Sequence, residues 1–255
     1  MGRVLSYFKK EGPLTIEEYL SEHINDCVRL FEKISISKMG RAGMLYEGFL
    51  DAVRFSVIFH DLGKAFYQRR GESISFAGHE IFSTYILYQF YDKLLEENPD
   101  EYNKLSRILK PALFAVMFHH HPMDVGKRLE RIGKIELTSN SLRDLQYELS
   151  LLSDDALCAE ERSALNSVIV ELEHKIQKKE LRSNDIKRQF SDSIGHMIYV
   201  HFTSMGEEDI IIKRVSYMTL TALIIIDYMS ANRRRKGRSR FGKIAEEFYR
   251  LYFNS

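Results

Sequence analysis

Tyr46-Glu47-Gly48-Phe49-Leu50-Asp51-Ala52-Val53-Arg54-Phe55-Ser56-Val57-Ile58-Phe59-His60-Asp61-Leu62-Gly63-Lys64 sets the pattern for the whole chain. Phe49, Val53 and Val57 recur at four-residue steps and form one apolar stripe, so a helix is expected from about Tyr46 to His60. Gly63 stops it soon after. His60 and Asp61 are thereby left at a helix end, where two adjacent side chains can turn toward one cavity.

Helical periodicity continues outward on both sides. Upstream, Thr15-Ile16-Glu17-Glu18 has the form of a capping box. Ile16, Leu20, His23, Cys27 and Leu30 then share one face, which points His23 inward with the apolar residues. A glycine-bearing loop is expected around Gly40 and Gly43. Downstream, Gln68 to Gly78 is polar and expected as a loop. His79 opens a helix whose Phe82, Ile86, Leu87 and Phe90 pack inward. Pro111 suits the first turn of another helix, or a joint with the preceding one. That helix carries Ala112, Ala115 and Val116 and ends at His119-His120-His121-Pro122. A long helix is expected from about Lys213 to Asn232, with Leu220, Leu223, Ile224 and Asp227 on it. Phe241 to Phe253 is amphipathic and is expected to pack back on the body.

Residues from about Val125 to Phe190 differ in character, being rich in Glu, Lys, Arg, Ser and Leu and poor in aromatics. Leu142, Leu145, Leu149 and Leu152 mark one amphipathic helix there, and Leu165, Ile169, Leu172 and Ile176 another. The expected architecture is an all-α helical bundle forming a single domain over residues 1–255, with a helical insertion at 125–190.

The bulk numbers are compatible with this. The chain has 255 residues, 44% hydrophobic and 29% charged, with four prolines to interrupt helices. Its formal charge of +1 favours no class of partner, so any basic surface must be local. Cys27 and Cys158 stand far apart, which fits a reducing compartment rather than a disulfide framework. Met1 to Lys10 lacks the apolar core of a signal peptide, and Leu220 to Ile226 is too short to span a membrane. A cytoplasmic protein without membrane association is expected.

Chemistry concentrates in five segments: His23, His60-Asp61, His79, His119-His120, and Asp227. A histidine on an apolar face, such as His23, is ordinary when taken alone, and so is an isolated His-Asp dipeptide. Three adjacent imidazoles at the end of an apolar helix are not. Nor is Asp227 within Leu-Ile-Ile-Ile-Asp, because a carboxylate in apolar company is costly unless paired or metal-bound. Together these residues point to a metal site assembled from packed helices.

The order His23, His60-Asp61-Leu62-Gly63-Lys64, Gly78-His79-Glu80 with Ser83, Ala115-Val116-Met117-Phe118-His119-His120, and Asp227 resembles the HD superfamily of metal-dependent phosphohydrolases. Within it, the pattern is similar to the HD nuclease of type I CRISPR systems. One departure is His121, which stands where that family has glycine or another small residue. The pair could therefore be His120 and His121, although His119 and His120 lie four and five residues after Ala115, as the family pattern has it.

The resemblance implies an HD-domain bundle with two metal ions. His23, His60, Asp61 and Asp227 would hold one ion. Asp61 would bridge to a second, held also by His79, His119 and His120. A nitrogen-rich set of this kind favours Mn, Ni, Co, Fe or Zn over Mg, although Mg stays possible. The implied reaction is phosphodiester hydrolysis, with Asp61 and Lys64 as catalytic residues: the ions activate water and neutralise phosphate charge, and Lys64 adds a positive charge nearby.

Arg233-Arg234-Arg235-Lys236-Gly237-Arg238-Ser239-Arg240 begins six residues after Asp227, about 9 Å along the axis if the helix continues. Arg233, Arg234, Arg235, Lys236, Arg238 and Arg240 are therefore candidate nucleic-acid contacts. Arg41, Arg69 and Arg70 could line the same mouth. The substrate that the resemblance implies is single-stranded DNA, with Tyr or Phe side chains stacking bases. The chain has no Gly-x-x-x-x-Gly-Lys-Ser/Thr loop and no room for helicase lobes. A stand-alone nuclease is therefore expected, working with a separate helicase subunit and a CRISPR surveillance complex in antiviral defence. Two other functions fit the same residues: an HD phosphohydrolase of small nucleotides, and a non-catalytic subunit in which metal merely staples helices.

Overall fold

The computed structural model describes residues 2–11, 14–68, 74–120, 125–203, 206–234 and 240–253. It opens with an antiparallel hairpin, β1 (Leu5–Glu11) and β2 (Leu14–Tyr19), with Tyr7 opposite Glu18 and Lys9 opposite Ile16. The capping box expected at Thr15 to Glu18 is therefore wrong: these residues pair as a strand. Helix α1 (Leu20–Phe31) starts directly after it, and Tyr19 gives no side-chain cap. Glu148, far along the chain, takes that role. Its Oε2 accepts from Ser21 N at 2.8 Å, and its Oε1 accepts from Val4 N at 3.1 Å and from Arg3 Nε at 2.5 Å. A buried carboxylate at this place satisfies amides that no turn of helix can reach and complements the helix dipole.

A short helix α2 (Lys38–Gly43) stands where a glycine loop was expected, capped by Ser37, whose Oγ accepts from Gly40 N at 3.0 Å. Helix α3 (Phe49–Phe59) follows, three residues shorter at its start than its apolar stripe suggests, because turns occupy the residues before Phe49. Phe49, Val53 and Val57 are buried. After His60 and Asp61 the chain does not unwind but tightens into a 3-10 turn, Leu62–Tyr67, every residue of which is buried. Helix α4 (His79–Glu97) begins at the expected histidine. Helix α5 (Tyr102–Phe118) contains Pro111 in its interior, so one helix spans what could have been a joint between two.

Four helices then occupy the compositionally distinct stretch: α6 (Val125–Ile132), α7 (Ser139–Ser150), α8 (Ala159–Gln177) and α9 (Ser183–Gln189). Leu142, Leu145, Leu149 and Leu152 are buried, as are Leu165, Ile169 and Leu172. α7 and α8 pack as a pair; α8 rests on α4, and α7 rests on α1 and on the 3-10 turn. A π-helical turn, Phe190–Ile194, leads into α10 (Gly195–Thr203). The long α11 (Glu207–Arg234) and the terminal α12 (Arg240–Tyr252) complete the chain. α12 packs on α11, with its Ala245 and Tyr249 buried and Phe253 buried just after it, as its amphipathic pattern suggests.

The protein is thus an all-α helical bundle, with one small hairpin among the described residues. α5 lies at its centre against α3, α4 and α11, and α1 closes the group against α3 and α11. Among the described residues, no helix is long and apolar enough to cross a membrane.

Candidate metal centre

The packing of α1, α3, α4, α5 and α11 brings their histidine and aspartate residues to one place. His23 lies mid-way along α1, on the face that also buries Leu20, Ile24 and Cys27. His60 and Asp61 lie at the junction of α3 with the 3-10 turn. His79 is the first residue of α4, and His119 and His120 follow the last residue of α5. Asp227 comes from α11. All seven residues singled out in the sequence meet.

Distances describe two subsites that share Asp61. On one side, His23 Nε2 lies 3.3 Å from His60 Nε2, 3.5 Å from Asp61 Oδ2 and 3.2 Å from Asp227 Oδ1. His60 Nε2 lies 3.6 Å from Asp61 Oδ2 and 3.9 Å from Asp227 Oδ1. On the other, His79 Nε2 lies 3.0 Å from Asp61 Oδ1. Asp61, His79, His119 and His120 each offer a ligand atom, all within 4.8 Å of one another. Asp61 therefore turns one oxygen to each group of imidazoles.

The imidazoles are fixed from behind. Nδ1 of His60 donates to Val57 O at 2.8 Å, Nδ1 of His79 to Phe76 O at 2.6 Å, and Nδ1 of His119 to Val116 O at 2.7 Å. A carbonyl can only accept, so each bond places the proton on Nδ1 and leaves a lone pair on Nε2, aimed at the centre. Nδ1 of His23 lies instead 3.3 Å from Ser230 Oγ and 3.4 Å from Glu18 Oε1.

Electrostatics work in the same direction. Burial holds His60 and His119 below the usual imidazole range, and for His119 the neighbouring His120, His60 and His79 add to the effect. Burial and His79 push His120 down to about 3. These imidazoles are neutral at pH 7 and free to donate lone pairs. Burial would raise the carboxyls, yet Lys64, His60 and His79 hold Asp61 well below the carboxylate range, and His23 and His60 do so for Asp227. His60, His119 and His120 are thus neutral nitrogens beside ionised oxygens, whereas His23, despite the burial that opposes it, is drawn well above the usual imidazole range by Cys27, Asp227 and Glu18.

This donor set fits a metal ion. His119 Nε2 is buried and has no hydrogen-bond partner among the described residues, which is costly for a polar atom unless a cation meets it. Ligand atoms on one ion at about 2.1 Å from it stand about 3–4 Å apart, close to the spacings here. Histidine and aspartate groups are thus positioned to hold a metal ion.

Compared with family models, curated proteins and solved structures, the chain gives no match.

Lys64 is not a surface residue at a helix end. It is buried, and its Nζ donates to Asp61 Oδ2 at 2.5 Å and to Ser6 O at 3.1 Å. The basic run fares differently. α11 does continue past Asp227 as far as Arg234, and Arg240 opens α12. Arg235, Lys236 and Arg238 lie outside the described residues, as do Arg69, Arg70 and His121.

Several participants were not singled out in the sequence. Ser6 of β1 donates through Oγ to Asp61 Oδ2 at 3.0 Å. Cys27 Sγ lies 3.7 Å from His23 Nε2, and His23, Cys27 and His60 form a second possible ligand group. The His23-x-x-x-Cys27 spacing, which puts both on one helical face, was the available signal. Ser6, Glu18 and Ser230 carry no such signal, because strand pairing and helix packing alone bring them near.

Proposed function

We propose that this protein is a two-metal phosphodiesterase of the HD type that acts as a nuclease on single-stranded DNA. The observation that carries the reading is Asp61 with one oxygen toward His23 and His60 and the other toward His79. A carboxylate so placed suits a bridge between two ions. The order of motifs along the chain, His, His-Asp, His, His-His and Asp, adds the resemblance to HD phosphohydrolases.

Nitrogen-rich subsites favour Mn, Fe, Co, Ni or Zn. Two such ions, when bound, lower the pKa of water and take up charge on a phosphate. The chain's own residues set the geometry. Nδ1 bonds to backbone carbonyls three residues upstream hold three imidazoles in place. Lys64 and Ser6 orient Asp61 by donating to its Oδ2, the oxygen turned toward His23 and His60. Lys64 also lines the cleft that opens onto His79 and His120, where its charge would meet an incoming phosphate.

In the biological setting that the resemblance suggests, the strand is displaced by a CRISPR surveillance complex and fed by a separate helicase. The test is metal content and cleavage of single-stranded DNA by the purified chain, before and after chelation and with Mn or Ni restored. The His60→Ala, Asp61→Ala double variant serves as the control. Retained cleavage in a variant that has lost its metal would end the proposal. A parallel panel of deoxynucleotides and cyclic nucleotides tests hydrolysis of small nucleotides; turnover there without DNA cleavage would favour that reading instead.

A further inference from the structure

A cleft of about 510 Å³ opens on the His79 and His120 side of the metal centre. Its outer wall is α6, a segment with no part in the resemblance that suggests the chemistry. α6 is pinned firmly. Arg128 is buried and paired with Glu80, the residue after His79, and Ile132 is fully buried. Gly78 has φ +100°, and a Cβ there would meet Ile132 Cγ2 at 2.8 Å, so the helix rests on the backbone just before His79.

This anchoring decides what α6 presents. With Arg128 and Ile132 turned inward, Lys127 and Arg131 are exposed, and both line the cleft. They are four residues apart, so their Cβ atoms are about 5–6 Å apart along one helical face. That spacing is comparable to that of successive phosphates on an extended strand. Tyr7 of β1 and Phe76 line the same cleft and are half-buried, which holds their rings in place. Two cations in a row beside two aromatic rings are what an unpaired strand requires: phosphates on the charges and bases on the rings. A lone nucleotide would leave part of this surface unused.

We infer that Lys127 and Arg131 bind the phosphates flanking the scissile one in single-stranded nucleic acid, while Tyr7 and Phe76 stack its bases. This rests on the phosphodiesterase reading for the scissile bond, but not for the binding itself. α6, rather than the Arg233 to Arg240 run alone, then sets the substrate class.

The experiment is binding of fluorescein-labelled oligo-dT, and of oligo-U, measured by anisotropy over a range of salt. Wild-type protein is compared with the Lys127→Ala, Arg131→Ala double variant and with Tyr7→Ala. Metal content and helical circular dichroism report folding, and wild-type hydrolysis of bis(p-nitrophenyl) phosphate with Mn reports the chemistry. The double variant should keep its metal and helicity, bind about tenfold more weakly at low salt, and lose about 1.4 from the salt slope, which is two phosphate contacts. Wild-type hydrolysis together with unchanged binding by the double variant would overturn the cleft assignment and leave the phosphodiesterase reading intact. Absence of hydrolysis together with weakened binding would do the reverse. Loss of binding only on neutralising Arg233 and Arg234 would place the strand elsewhere and also overturn the assignment.

Discussion

The Lys64 ammonium lies 2.5 Å from Asp61 Oδ2, and both residues are buried. Ser6 completes the arrangement, donating to Asp61 while its carbonyl accepts from Lys64. A buried pair of this kind contributes little net stability, but removing one partner leaves the other charge uncompensated. Lys64→Met should therefore destabilise the metal-free protein by about 3–5 kcal/mol in urea unfolding. Adding Mn or Zn should recover much of that, because a cation that binds only the folded state also neutralises Asp61. The double change Lys64→Met, Asp61→Asn should cost less than Lys64→Met alone. Equal stability of Lys64→Met and wild-type protein without metal would contradict the pairing.

The core helices were legible because their apolar stripes are long and local: Phe49, Val53 and Val57 on α3, or Phe82, Ile86 and Phe90 on α4. The convergence of seven site residues was legible only as a set of motifs in order; no spacing dictates that Asp227 reaches His23. The hairpin was not legible. Thr15-Ile16-Glu17-Glu18 has the local form of a helix start, but β1 offers it a ladder, and Glu148 then caps α1 from far along the chain. A local propensity worth about 1 kcal/mol yields to such tertiary partners. The placement of α6 beside His79 was hidden for a similar reason. Lys127 and Arg131 resemble any exposed basic pair until Arg128 and Ile132 are seen to dock beside His79.

Asp92 on α4 provides a pH prediction away from the metal. Partial burial, with Glu96 next to it, pushes its carboxyl up to about 6. An unfolded aspartate titrates near about 3.9. Between these values the folded state binds more protons than the unfolded state, so stability must fall as pH rises through this window and level off above it. Asp92→Asn should remove that slope and stabilise the protein at pH 7 by about 1 kcal/mol or less, since the group is half exposed and screened. Unfolding curves at several pH values check this; an unchanged slope in the variant would show that another group is responsible.

Gly78→Ala tests whether α6 is held where the cleft needs it. The residue has φ +100°, and its new Cβ would meet Ile132 Cγ2 at 2.8 Å and the Tyr67 hydroxyl at 3.0 Å. Backbone strain alone costs about 1–3 kcal/mol, before α6 is displaced. The expected result is a lower melting temperature together with weaker oligonucleotide binding. Gly63→Ala should also destabilise, because its Cβ would meet His79 O at 2.1 Å, but it should damage metal binding first. Hydrogen exchange over α6 separates them: Gly78→Ala should raise it selectively.

Cys27 and Asp227 compete as the further ligand beside His23 and His60, and their chemistry decides between them. A ligand must give up its proton to bind metal. Burial pushes the Cys27 thiol up, whereas His23 and His60 keep Asp227 ionised. Asp227 Oδ1 is also closer to His23 Nε2, at 3.2 Å against 3.7 Å for the sulfur. Cys27→Ala should therefore retain full metal content and lose only about 1 kcal/mol of stability through the small cavity it leaves. Asp227→Asn should weaken metal binding by about tenfold or more. Cobalt makes the distinction visible, since thiolate ligation gives an intense near-ultraviolet charge-transfer band and carboxylate ligation does not. Such a band in the wild-type protein, lost in Cys27→Ala, would make the sulfur a ligand and return Asp227 to a supporting role.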